Sequence, residues 1–204
     1  TVNAALDKFK AENVRAIAVC FLHSYANPEN EDTVAKICRE RFGDEVYVTT
    51  SHEILPAPGE FERFSPTVVS AYIGPIVSDY LLSLEKRLAQ MGFRGSLMMV
   101  RSDGLVQSVA HSRRQAVSLI NSGPAAAPTA ARFFGSLLGH EDLISVDMGG
   151  TSFDVSLIRR GEIPTTTESW VGDERVAIKI VEVHSIGAGG GSLAWIDSLG
   201  LLRV

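Results

Sequence analysis

The order of apolar and polar residues predicts an α/β fold, and three observations carry that prediction. Residues 16–22 (AIAVCFL) form a continuous apolar run, typical of a strand buried on both faces. An amphipathic helical stretch follows, and residues 46–50 (VYVTT) return to strand composition. Strand, helix, strand in this rhythm implies a parallel layer.

The remaining elements follow in order. Residues 2–13 read as a helix with Val2, Leu6 and Phe9 on one face. Asn27 and Pro28 mark the next helix start, and Glu29, Glu31 and Asp32 crowd its first turn, where the positive dipole end favours them. Val34, Ile37, Cys38 and Phe42 face inward, and Gly43 ends the element. Pro56, Pro58 and Gly59 then break the pattern. A long helix is predicted from Ser65 as N-cap and Pro66 in the first turn, kinked or divided at Pro75. Val69, Ile73, Ile76, Tyr80, Leu84 and Leu88 recur at helical spacing, which predicts that they pack on a core.

Residues 96–100 predict a strand and 112–120 a short helix. In 121–132 (NSGPAAAPTAAR) small residues permit close helix approach, with Pro124 or Pro128 as first helical residue. Gly139 ends that element, and 143–158 forms a hairpin. Residues 176–183 read as a strand that opens into the glycine-rich 186–192, followed by a helix containing Trp195.

Composition narrows the function classes. Of 204 residues, 45% are hydrophobic and 21% charged, the balance of an ordinary globular protein. A net charge of −5, with no basic stripe, argues against a general nucleic-acid binder. Cys20 and Cys38 fit no metal spacing and are expected as free thiols in a reducing cytoplasm. No unbroken apolar run approaches the roughly 20 residues that span a bilayer, and no signal-peptide pattern opens the chain. Thr1 leads straight into a helical pattern and Val204 closes inside an apolar stretch, so a piece of a longer polypeptide is expected.

The chemistry concentrates in Asp147-Met-Gly-Gly-Thr-Ser-Phe-Asp154. Glycines 149 and 150 allow a tight turn whose N–H groups stay open to approach. Thr151 and Ser152 add hydroxyl donors, and Asp147 can hold a cation or its water shell beside a phosphate. A plain Gly-Gly hairpin needs neither the acid nor the hydroxyls. Gly187-Ala-Gly-Gly-Gly191 is a second glycine-rich loop before an expected helix, suited to an anion or to a flexible connection. Neither a GxGxxG fingerprint nor a Walker GxxxxGK[ST] occurs. His52 and His184 lie at strand ends, without an HxxxH or HExxH partner. Ser122-Gly-Pro is no GxSxG elbow, which removes support for serine catalysis.

These residues resemble a family. LISVDMGGTSFDVSLI (143–158) is similar to the second phosphate motif of the actin, sugar kinase and Hsp70 ATPase superfamily, and INSGPAAAPTAARFFG (120–135) looks like its connecting helix. Within it, the chain resembles the hydantoinase/5-oxoprolinase A family through AIAVCFLHSYANPENE, SHEILP, FERFSPTVVSAYIGPIVSDYL, NSGPAAA, DMGGTSFDV and EVHSIGAGGGSLAWID, in the expected order. Two departures stand out. The family usually carries glycine and a branched aliphatic at Ala127 and Pro128, and a double glycine where Ser102-Asp103-Gly104-Leu105 has one.

The resemblance implies an RNase-H-like, actin-like ATPase fold in two partial lobes. Residues 1–55 would end the first lobe, 56–139 would form an intervening segment with the connecting helix, and 140–204 would open the second lobe. It implies ATP and Mg2+ as cofactors, with Asp147, Gly149, Gly150, Thr151 and Ser152 facing the β- and γ-phosphates. Asp147 would orient magnesium through water, and Gly189, Gly190 and Gly191 would border the nucleotide. The implied reaction is ATP-dependent opening of a cyclic amide such as a hydantoin, N-methylhydantoin or 5-oxoproline, with a B-type hydantoinase subunit or domain as partner. Alternatives are a subunit of an ATP-dependent ketone carboxylase, an Hsp70-like nucleotide-gated binding module, and a scaffold with a degenerate site. The family's first phosphate motif does not occur in these residues, so this piece alone is expected to be inactive.

Overall fold

The computed structural model describes residues 2–204. Its elements are α1 (Val2–Ala11), β1 (Ala16–Val19), α2 (Glu29–Phe42), β2 (Tyr47–Thr50), α3 (Ser51–Ile54), α4 (Glu60–Gln90), β3 (Met98–Val100) and β4 (Val106–Ser108). They continue with α5 (Val109–Arg114), α6 (Ser122–Leu137), β5 (Leu143–Met148), β6 (Phe153–Ile158), β7 (Thr165–Thr166), β8 (Ser169–Val171) and β9 (Glu174–Val176). The last are β10 (Ile180–Val181), β11 (His184–Ile186), β12 (Trp195–Ile196) and β13 (Leu202–Arg203). Two compact units result. The first holds the chain up to Arg101, Leu105–Ile120 and Thr167–Lys179; the second holds Ser102–Gly104, Asn121–Thr166 and Ile180–Val204.

In the first unit β1 and β2 pair in parallel, Ala16 opposite Tyr47 through Val19 opposite Thr50, as the strand–helix–strand rhythm predicts. β1 stops at Val19 instead of reaching Leu22. Side chains take the backbone groups of Phe21: its N–H donates to Glu31 Oε1 at 2.7 Å, and its carbonyl accepts from Arg63 Nη2 at 2.9 Å. Leu6, Ile17, Val19, Cys38 and Val46 form the core, with Val2, Phe9, Val34, Ile37 and Phe42 packed around it. Full burial of each such large aliphatic side chain contributes about 1.5–3 kcal/mol. Cys20 and Cys38 are both free thiols.

Helix α4 departs from its prediction. It begins at Glu60 and not at Ser65, and runs through both Pro66 and Pro75 without dividing. Each proline removes one helical N–H. The Thr67 hydroxyl donates to the Arg63 carbonyl at 2.7 Å in the turn that Pro66 weakens. Ser65 caps nothing; its hydroxyl donates to the Arg175 carbonyl. The buried stripe is Arg63, Pro66, Thr67, Ser70, Ala71, Gly74 and Leu81, whereas Ile76 and Tyr80 of the predicted face are exposed. Small side chains explain the reversal, because they let the backbone approach β2. A Cβ on Gly74 would fall 2.3 Å from the Tyr47 ring. By length and composition α4 is also apolar enough to cross a membrane, which counting unbroken apolar runs missed.

The helix predicted over 112–120 is divided. α5 ends at Arg114 and a 3-10 turn spans Ala116–Leu119. Gln115 leaves helical geometry at φ −123°, and its side-chain amide donates to the Glu53 carbonyl at 2.5 Å. β3 and β4 form one antiparallel hairpin, and β8 and β9 another.

In the second unit β5, β6 and β11 form an antiparallel sheet in the order β11-β6-β5. α6 starts at Ser122 after Asn121 in the left-handed region at φ 58°, so neither proline is its first residue. Pro124 is third, and Pro128 is buried inside the helix. The close approach that small residues permit occurs at Gly135, where a Cβ would fall 2.3 Å from Leu143 Cδ1. The strand predicted over 176–183 is interrupted, since β9 ends at Val176 and β10 starts at Ile180. Trp195 is not helical. It pairs with Arg203 in a hairpin whose turn is tied by Asp197, which accepts from Leu199 N–H and Leu201 N–H at 2.9 Å each. Gly200 at φ 78° completes that turn.

Candidate functional site

Strands β5 and β6 join through the four-residue loop 149–152, and the Met148–Phe153 pair closes the ladder beneath it. Inside the loop Gly149 N–H donates to the Ser152 carbonyl at 3.0 Å. Among the described residues, the N–H groups of Gly150, Thr151 and Ser152 and the hydroxyls of Thr151 and Ser152 donate to no protein acceptor. Asp147, Gly149, Gly150 and Thr151 are exposed. The tip is thus a concentrated set of uncommitted donors beside one carboxylate, the chemistry that holds phosphate oxygens and a hydrated cation.

The second glycine loop is brought onto this tip. β11 pairs with β6, Ser185 opposite Asp154 and Ile186 opposite Phe153, so the chain leaves the sheet beside the hairpin. Gly189 then lies on the hairpin backbone: a Cβ there would fall 2.4 Å from the Gly150 carbonyl carbon and 2.5 Å from Thr151 N. Gly190 N–H donates to the Gly149 carbonyl at 2.9 Å, and Gly189 N–H to Ser192 Oγ at 2.9 Å. Gly191 has open space around it and joins neither contact. The helix expected after this loop is absent among the described residues; the chain continues into the β12–β13 hairpin instead.

Asp147 pairs directly with Asp154 across β5 and β6. Directly opposed residues share a face, so Asp147, Asp154 and Ser185 form one row across three strands. Ser185 Oγ donates to Asp154 Oδ1. The pattern DxGGTxxD carries Asp154 in plain sight, yet the sequence reading gave it no role. His184 stands opposite Val155 on the other face, with Nε2 3.5 Å from Glu182 Oε1, and is exposed. It does not join the row.

The first unit holds a separate polar cluster at the carboxyl ends of β1 and β2. Glu31, expected only to favour a helix start, is fully buried. Its Oε1 accepts from Phe21 N–H and from Ser51 Oγ at 2.6 Å; its Oε2 accepts from His52 N–H at 3.0 Å and lies 2.8 Å from His52 Nδ1. Burial pushes its pKa up, but these bonds outweigh that and hold the carboxyl below its ordinary range. Arg63, also fully buried, donates from Nε to Ser51 Oγ at 3.0 Å and from Nη1 to the Ala57 carbonyl at 3.1 Å. Its guanidinium carbon lies 5.5 Å from the Tyr25 ring centre and 5.2 Å from that of Phe64. Burial, with the nearby Glu31 charge, pushes the Cys20 thiol up to about 11. Each hydrogen-bonding atom of Glu31 and Arg63 named here is already committed, so this cluster reads as a structural clasp.

Comparison with known proteins places the chain in a family. The Hydantoinase/oxoprolinase family model matches residues 63–204, and the Hydantoinase/oxoprolinase N-terminal region matches residues 1–42. The chain is 35% identical over 203 residues to the caprolactamase subunit alpha of Pseudomonas jessenii, covering 100% of this chain and 29% of that protein. The crystal structure of ATP-dependent caprolactamase from that organism superposes with a TM-score of 0.84 at 34% identity, covering 98% of this chain and 29% of the other. A nucleotide-free structure of acetone carboxylase, described for ATP-dependent acetone carboxylation, superposes with a TM-score of 0.77 at 27% identity and spans 99% and 29%. The chain therefore covers less than a third of these relatives' length. With family models matching residues 1–42 and 63–204, the chain belongs to the hydantoinase/oxoprolinase family.

Proposed function

We propose that this chain supplies one phosphate-binding half of an ATP-dependent enzyme that opens a cyclic amide ring, in an RNase-H-like fold of the actin ATPase type. The observation that carries this reading is the seating of Gly189 on the Gly150–Thr151 backbone, which builds a double-glycine cradle next to Asp147. Such a cradle admits phosphate oxygens where any side chain would exclude them. The donor set fits ATP with Mg2+, which keeps several waters and takes one or two carboxylates plus phosphate oxygens.

Asp147 would hold the water shell of the cation, Thr151 and Ser152 would donate to phosphate oxygens, and Gly189 and Gly190 would wall the nucleotide. When bound, ATP and magnesium supply a transferable phosphoryl group with its charge neutralised. The net chemistry is cyclic amide plus ATP plus two waters giving ring-opened amino acid, ADP and phosphate: one water oxygen ends in the new carboxylate and the other accounts for hydrolysis of the phosphoryl group. The protein's own part is orientation and electrostatic preorganisation, without a covalent nucleophile. A second surface must oppose the cradle to exclude water; within these residues DxGGTxxD occurs once. A B-type hydantoinase subunit or domain is the proposed partner, a reading supported by the relative's name as a subunit.

The likeness to acetone carboxylase favours one second reading, a ketone carboxylase subunit that consumes ATP and bicarbonate. The test is phosphate release by the intact protein with its co-purifying partner. Release that depends on a lactam, hydantoin or 5-oxoproline supports ring opening. Release that requires a ketone with bicarbonate, and ignores every cyclic amide, overturns it.

A further inference from the structure

We draw no further inference here: the strongest candidate, the exposed apolar face of α4 formed by Val68, Tyr72, Ile76 and Tyr80 on the side away from its buried stripe, is an unpartnered helix face, and nothing in the structure shows what covers it.

Discussion

Gly189 and Gly150 are in backbone contact: a Cβ on Gly189 would fall 2.4 Å from both the carbonyl carbon and the oxygen of Gly150. Neither atom can rotate away as a side-chain tip could, so the two glycine loops move together or not at all. Gly189→Ala should lower nucleotide affinity by about tenfold or more, about 1.4 kcal/mol for each factor of ten. Gly187→Ala and Gly191→Ala, whose surroundings are open, should bind nearly as wild type. Calorimetric titration with ADP checks the contrast, and equal affinities in all three variants would remove the cradle from the argument.

Gly74 and Tyr47 make the equivalent contact in the first unit, with side chain against backbone. Gly74→Ala should destabilise by about 1–3 kcal/mol, the usual cost of overpacking a filled interior. Combined with Tyr47→Leu, which removes the ring, the same alanine should cost much less. A double-mutant cycle in urea measures the coupling. Additive effects would show that α4 does not rest on Tyr47.

Removing Arg63 leaves the Phe21 and Ala57 carbonyls without this donor and takes one hydrogen bond from the Ser51 hydroxyl, which keeps Ser24 Oγ at 3.0 Å. Arg63→Met should destabilise by about 3–5 kcal/mol. Arg63→Lys should recover little, because an ammonium cannot span three separated acceptors and stack on Tyr25 and Phe64. Chemical denaturation gives both numbers, and a Lys variant as stable as wild type would refute the fork geometry.

The Glu31 carboxyl is held below the ordinary glutamate range by the hydrogen bonds it accepts from Ser51, His52 and Phe21. A depressed carboxyl contributes stability that is complete above its unfolded pKa and is lost as pH falls through the folded value. Wild-type stability should therefore be flat from neutrality down to the ordinary glutamate range and decline below it. Glu31→Gln should start lower at pH 7 and decline less steeply in acid. Denaturation midpoints taken from pH 7 to pH 3 test this, and parallel curves would rule out Glu31 as the source.

What was legible in the sequence was local or periodic. The parallel β1–β2 pair follows from two apolar runs flanking one amphipathic helix, and the β5–β6 hairpin from two glycines between apolar strands. Helix α4 was misread because apolar spacing identifies a stripe without saying which surface it meets. Its sheet-facing side is small and polar, and close approach at Gly74 outweighs the greasier side. Trp195 was misread because an aspartate two to four residues before Leu199 and Leu201 builds a turn by hydrogen bonds that hydrophobicity does not record. Glu31 was placed in the right turn for an incomplete reason, since its partners Ser51 and His52 are distant in sequence. The seating of Gly189 on Gly150 and the placement of Ser185 opposite Asp154 depend on the register of β11, which only the folded sheet provides.

The chain passes between its two compact units after Arg101, Gly104, Ile120, Thr166 and Lys179. No single cut can therefore separate the two units, although a cut after Ile120 would leave every strand pair intact. During synthesis the first unit stays incomplete until Lys179 has left the ribosome, after the β5–β6 hairpin has emerged. The first unit is thus interrupted in the chain by residues 121–166, and its last strands, β8 and β9, are made only after β5 and β6.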